Sequence, residues 1–131
     1  MIFIDSNVPM YLVGADHQNK YRLLEVLEPL IRGGERMITS VEVFQEILHR
    51  YTAINRRDAI GPAMDSLQRL ADEVLSFSMP EIHRARTLIN TVQNLSARDA
   101  LHVAVMQGAG VTRILSFDGG FDLCPGIERV H

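Results

Sequence analysis

Short apolar runs that stop on a polar residue or a turn recur along the chain. Met1 to Ile4 stops at Asp5, Arg36 to Thr39 at Ser40, Val74 to Ser78 at Met79-Pro80, and Arg113 to Phe117 at Asp118-Gly119-Gly120. Runs this short, apolar without alternation, predict strands of a sheet covered on both faces. A last short strand is predicted at Ile127 to Val130. Between the runs the apolar period becomes helical. Tyr21, Leu24, Leu27 and Leu30/Ile31 share a face ahead of the Gly33-Gly34 stop, predicting the helix that joins the first two strands. Thr39-x-x-Glu42 is a capping-box pattern that opens a helix over Val41 to Ile54, with Val43, Phe44, Ile47, Leu48 and Tyr51 as its apolar stripe. Asp58 to Asp72 repeats the habit through Ile60, Met64, Leu67 and Leu70/Ala71. Pro80 in a first helical turn introduces Glu81 to Asn94, and Ser96-x-x-Asp99 opens Ala97 to Gln107, which Gly108 and Gly110 end.

Strands alternating with helices through short turns predict an α/β chain, a three-layer α/β/α arrangement around a central parallel sheet of four to five strands. A length of 131 residues suits a single domain over 1–131. With 47% hydrophobic and 22% charged residues, the composition excludes intrinsic disorder. No apolar run approaches the roughly 18 residues of a membrane span. The Met-Ile-Phe-Ile-Asp start has no basic region ahead of its apolar residues, unlike a signal peptide, so a cytoplasmic location and no membrane partner are expected. Cys124, the single cysteine, can form neither an intrachain disulfide nor a cysteine-based zinc site and is read as packing.

The net charge of −3 does not advertise nucleic-acid binding. Lys20 is the only lysine among 13 basic residues, and the other twelve are arginines, which favour planar, bidentate contact with phosphate.

Ligands of a parallel sheet bind beyond the carboxyl ends of its strands, so acids that follow strands matter most. Asp5 ends the first strand and Asp118 the fourth. Glu46 lies nearly two helical turns past the second strand, and Asp99 is in the first turn of the helix leading to the fourth. Glu42 is assigned to the capping box. Glu46 falls between Val43 and Ile47/Leu48 near the inward edge of the apolar stripe, where an unpaired carboxylate is costly. Asp99 alone could serve the helix dipole, and Asp122 alone could be a turn former. Together, four carboxylates without cysteines describe an oxygen-donor site for Mg2+ or Mn2+ rather than zinc. Such a site lowers the pKa of a coordinated water and stabilises charge developing on a phosphoryl group, which implies phosphodiester hydrolysis. Setting aside these four acids leaves the remainder of the chain near neutral, with Arg98 and Arg50 as candidates to hold a backbone phosphate.

Ile-Asp-Ser-Asn at 4–7, Ile-Thr-Ser from 38 followed by Glu46, Leu-Ser-Ala-Arg-Asp-Ala-Leu-His at 95–102 and Ile-Leu-Ser-Phe-Asp-Gly-Gly-Phe-Asp at 114–122, in this order, resemble the PIN-domain ribonucleases. Within them, the chain looks like the VapC-type toxins of toxin–antitoxin modules. The resemblance spans essentially the whole chain and implies a metal-dependent endoribonuclease acting on tRNA or rRNA and leaving a 5′-phosphate and a 3′-hydroxyl. It matches Asp5, Glu46, Asp99 and Asp118 to the family's catalytic, metal-binding quartet, with Asp122 as an auxiliary fifth acid. Ser6, Asn7 and Ser116 match polar positions that could orient a coordinated water or the scissile phosphate, and Arg98 is a further substrate-positioning candidate. The family also implies a homodimer and a cognate antitoxin whose C-terminal segment blocks the site. The alternative from another class is a catalytically silent PIN-fold protein with an RNA-binding or regulatory role. A phosphoacceptor domain is disfavoured because Lys20 is far from any strand end, and a dinucleotide or P-loop module for want of its glycine motif. Among the histidines only His102, three residues after Asp99, is worth watching, and its ordinary reading is core or support for a ligand.

Overall fold

The computed structural model describes residues 1–131. The chain runs through β1 (Ile2–Ile4), α1 (Asn7–Val13), α2 (Gln18–Arg32), β2 (Met37–Ser40), α3 (Val41–Ala53), α4 (Ile60–Leu70) and β3 (Glu73–Leu75). It then continues through α5 (Met79–Thr91), α6 (Ala97–Gly108), β4 (Arg113–Leu115) and β5 (Glu128–Val130), with short 3-10 turns at Arg57–Ala59 and Gly119–Leu123. The five strands form one parallel sheet in the order β3-β2-β1-β4-β5. The chain therefore winds outward from β1 to β3, then returns past β1 to build β4 and β5. Right-handed crossovers place α1 to α4 on one face of such a sheet and α5 with α6 on the other. The packing agrees, for α1 touches α2 and α4, α3 touches α4, and α5 lies along α6. The winding reverses between β1 and β4, and the crevice at their carboxyl ends is where a parallel sheet offers a ligand site.

The strands β1 and β2 are buried along their whole length, and Ile2, Phe3, Ile4, Met37 and Ile38 fill the core against Ile114 and Leu115 of β4. In α6 the side chains from Val103 to Met106 are all buried. The predicted burial on both faces fails at the edges. The strand β3 is three residues, not the five of Val74 to Ser78, and Val74 is 43% exposed because β3 has a neighbour on one side only. Ser78 instead precedes α5, and its N–H donates to the Glu81 carboxylate at 3.0 Å, a reciprocal cap that starts the helix earlier than predicted.

Three further expectations change. Thr39 does not open α3 with Glu42. It is the third residue of β2, and its buried hydroxyl donates to the Ile4 carbonyl at 3.0 Å, tying β2 to β1, while Ser40 takes the cap position without a capping side-chain bond. On α2 the buried residues are Leu23 and Leu27, whereas Tyr21, Leu24 and Ile31 are exposed. Leucines on both sides of this helix make two faces similarly apolar, and only packing chooses between them. Finally, α1 forms where Val8 to Val13 is apolar throughout and carries no helical period; Pro9 is tolerated because it lies in the first turn, where its missing N–H has no intrahelical partner to lose.

Candidate metal centre

Parallel pairing sets Phe3 beside Ile114 and Ile4 beside Leu115, so the residues that follow, Asp5 and Ser116, meet at the sheet's carboxyl edge. The Asp5 N–H continues the ladder to the Leu115 carbonyl at 3.2 Å. The Asp5 carboxylate is then held on three sides. It accepts from the Ser6 N–H at 2.7 Å, the Ser116 hydroxyl at 2.6 Å and the Asn7 amide at 3.2 Å. Asn7 also donates to Ser116 Oγ and accepts from the Phe117 N–H at 3.3 Å, so it joins the start of α1 to the end of β4. Ser116 Oγ in turn accepts the Asp118 N–H at 3.0 Å. These bonds fix the carboxylate in space.

Glu46 reaches the same point from α3. The helix packs by Val43, Ile47 and Tyr51, and Glu46 shares that buried face at 5% exposure. One of its oxygens accepts the Ser6 hydroxyl at 2.7 Å, and the other faces His102 Nε2 at 2.7 Å. Burial pushes the Glu46 carboxyl up, but hydrogen bonding to His102 and Ser6 and the charges of His102 and Arg98 outweigh it, leaving the group below its usual range. Asp5 goes the other way, raised chiefly by burial.

Asp99 enters from the first turn of α6, where Ser96 Oγ accepts its N–H at 3.1 Å. Its carboxyl is pushed up to about 6 by burial first and then by the negative charges of Asp118 and Asp5. Asp118 approaches on the turn after β4, with its Oδ1 accepting the Gly120 N–H at 2.9 Å. All four expected acids thus line one cleft of about 800 Å³, together with Ser6, Asn7, Arg50 and Arg98. Asp122 is placed elsewhere. Arg129 binds both its oxygens at 2.8 and 2.9 Å, and it is not among the residues of the cleft.

The structure adds one group to the acids. His102 is 1% exposed, and its ring nitrogen lies with oxygens of Asp5 and Glu46 inside a sphere of metal-ligand dimensions, all within 4.8 Å of one another. The signal for it was local: from Asp99 to Met106, Asp99 and His102 are the only polar side chains, three apart on one helical face. The donor chemistry fits a divalent cation. Four carboxylates, three of them buried, repel one another, and Asp99 is raised by burial and then by the charges of Asp118 and Asp5, a cost that a bound cation would offset.

Residues 2–125 match the PIN domain family. The chain is 52% identical over 130 residues to VapC ribonuclease Mb1869c of Mycobacterium bovis and, by the same measure, to ribonuclease VapC13 of Mycobacterium tuberculosis, with 99% of each chain covered. Its fold matches the crystal structure of VapBC2 from Rickettsia felis at a TM-score of 0.73, with 13% identity over 99% of this chain and 98% of that one. The chain belongs to the PIN-domain family and, within it, to the VapC-type ribonucleases, the toxins of toxin–antitoxin systems.

Proposed function

We propose that Asp5, Glu46, Asp99 and Asp118 hold Mg2+ or Mn2+ and that the chain uses this centre to hydrolyse phosphodiester bonds of tRNA or rRNA. The observation that carries the reading is the convergence of four acids at one crevice, with a buried member, Asp99, raised to about 6 by burial first and then by the charges of Asp118 and Asp5. When bound, the cation offsets this repulsion, lowers the pKa of a coordinated water and stabilises charge on the phosphoryl group. Ser6, Asn7 and Ser116 keep Asp5 and Glu46 from rotating away, so that the donor set is oriented before any ligand arrives. Arg50 and Arg98 line the cleft and are placed to hold backbone phosphates. Asp122 is left outside the ligand set because its oxygens are committed to Arg129. The products carry a 5′-phosphate and a 3′-hydroxyl.

The partners in this reading are RNA, a cognate antitoxin that covers the cleft, and a second copy of the chain in a homodimer, all in the cytoplasm. No helix is long and apolar enough to cross a membrane. The test is cleavage of a mixed tRNA and rRNA pool by antitoxin-free protein in magnesium, manganese or EDTA, with Asp5→Asn alongside. Discrete cuts that require metal and vanish in Asp5→Asn support the reading. RNA binding without cutting, unchanged by EDTA, supports the silent binding module instead, and 2′,3′-cyclic phosphate products would overturn hydrolysis by water.

A further inference from the structure

We infer that His102 is a positioning residue, which clamps Glu46 through Nε2 and so sets the geometry of the acid cluster before a cation binds. A carboxylate oxygen accepts, so the 2.7 Å contact is one in which the Nε2–H of His102 donates to Glu46. Ser6 holds the other Glu46 oxygen, and the carboxylate is therefore pinned at both ends, by residues 40 positions before it and 56 after it. His102 Nε2 is also 4.0 Å from Asp5 Oδ1, placing the N–H dipole between two buried acids that otherwise repel.

The other ring nitrogen explains how the imidazole is oriented. His102 Nδ1 is buried without a hydrogen-bond partner. A histidine that serves as a metal ligand usually has its second nitrogen tied to a carbonyl, a carboxylate or a water, and no carbonyl or carboxylate of the chain ties this one. The ring is instead positioned by packing, with the Phe3 ring centroid at 5.7 Å and the Phe121 centroid at 6.3 Å. Packing of this kind suits a clamp on a neighbouring carboxylate rather than a ligand to the cation.

The inference rests on the proposed metal centre, and its test separates the two. Mn2+ binding to the full chain without RNA, by calorimetry, is compared among wild type, His102→Leu and His102→Gln, whose amide nitrogen can occupy the place of Nε2. Expected is a loss of about tenfold or more in Mn2+ affinity for His102→Leu, recovered to within about threefold in His102→Gln. In a Glu46→Gln background, His102→Leu adds no further loss, as for two residues acting through one contact. If His102→Leu melts lower yet binds Mn2+ like wild type, the residue is packing alone and the inference is wrong. If His102→Gln is as weak as His102→Leu, the imidazole is itself a ligand and the inference is again wrong. Should His102→Leu not fold, His102→Asn, whose amide is too short to reach Glu46, takes its place. Nitrogen-15 NMR of wild-type imidazoles supplies an independent readout, with the proton expected on Nε2; a proton on Nδ1 alone overturns the clamp. Failure of wild type to bind Mn2+ at all would sink the metal centre while leaving the NMR test standing.

Discussion

The Asp99 carboxylate occupies the space that a side chain on Gly120 would need. A Cβ built on Gly120 would collide with Asp99 Oδ2 and press on Asp118 Oδ1 at 3.2 Å. The second glycine of Asp118-Gly119-Gly120 is thus a condition for two acids to face the same crevice.

Gly120→Ala is therefore expected to act on the site more than on the fold. Asp99 must rotate away, and Mn2+-dependent cleavage is expected to fall about tenfold or more, while stability changes little because the added methyl meets the far end of a side chain that can turn. Paired denaturation and cleavage assays check this; full activity in Gly120→Ala would show that Asp99 is free to move without consequence.

Asp99→Asn is expected to separate stability from function. A carboxyl raised from 3.8 to about 6 binds its proton more tightly in the folded state than in the unfolded one. The contribution of Asp99 to folding stability in the presence of chelator therefore declines as pH rises from about 4 to about 6, and stays lower above that. Asparagine removes this contribution. In EDTA the variant is expected to melt above wild type at pH 7.5, with the difference shrinking toward pH 4, and to lose the stabilisation that Mn2+ confers on wild type. Melting curves across this range, with and without the cation, decide it.

Asp122→Asn tests the placement of the fifth acid. Asp122 is 57% exposed, so its ion pair with Arg129 is open to solvent and contributes little to the fold. Cleavage by the variant is expected within about threefold of wild type. A loss approaching that of Asp5→Asn would restore Asp122 to the site.

Thr39 and Glu42 give opposite outcomes from those of a capping box. Thr39→Val strips the buried hydroxyl from the Ile4 carbonyl and is expected to cost about 1–2 kcal/mol. Glu42→Ala is expected to change stability by no more than about 0.5 kcal/mol. Urea denaturation of the two variants is sufficient, and the reverse ranking would reinstate the cap.

What the sequence determined by itself is what is written locally. Apolar runs and helical periods change along the chain wherever the backbone changes state, so the α/β order and the parallel sheet were legible. Three of the four acids sit at or near strand ends or in a first helical turn, and Glu46 stood out as a charge on an apolar stripe; their convergence follows from the parallel sheet, whose carboxyl ends lie on one side. Tertiary structure alone decided the rest. Which leucines of α2 are buried, and how little of β3 is covered, depend on neighbours that no period encodes. Thr39 spends its hydroxyl on the adjacent strand rather than on the next helix, because β2 lies beside β1. Asp122 meets Arg129 across the last turn, and Glu46 meets Ser6 and His102 from distant parts of the chain. These are pairings of polar groups brought together by the sheet's order, and a polar residue's choice of partner leaves no trace in the spacing around it.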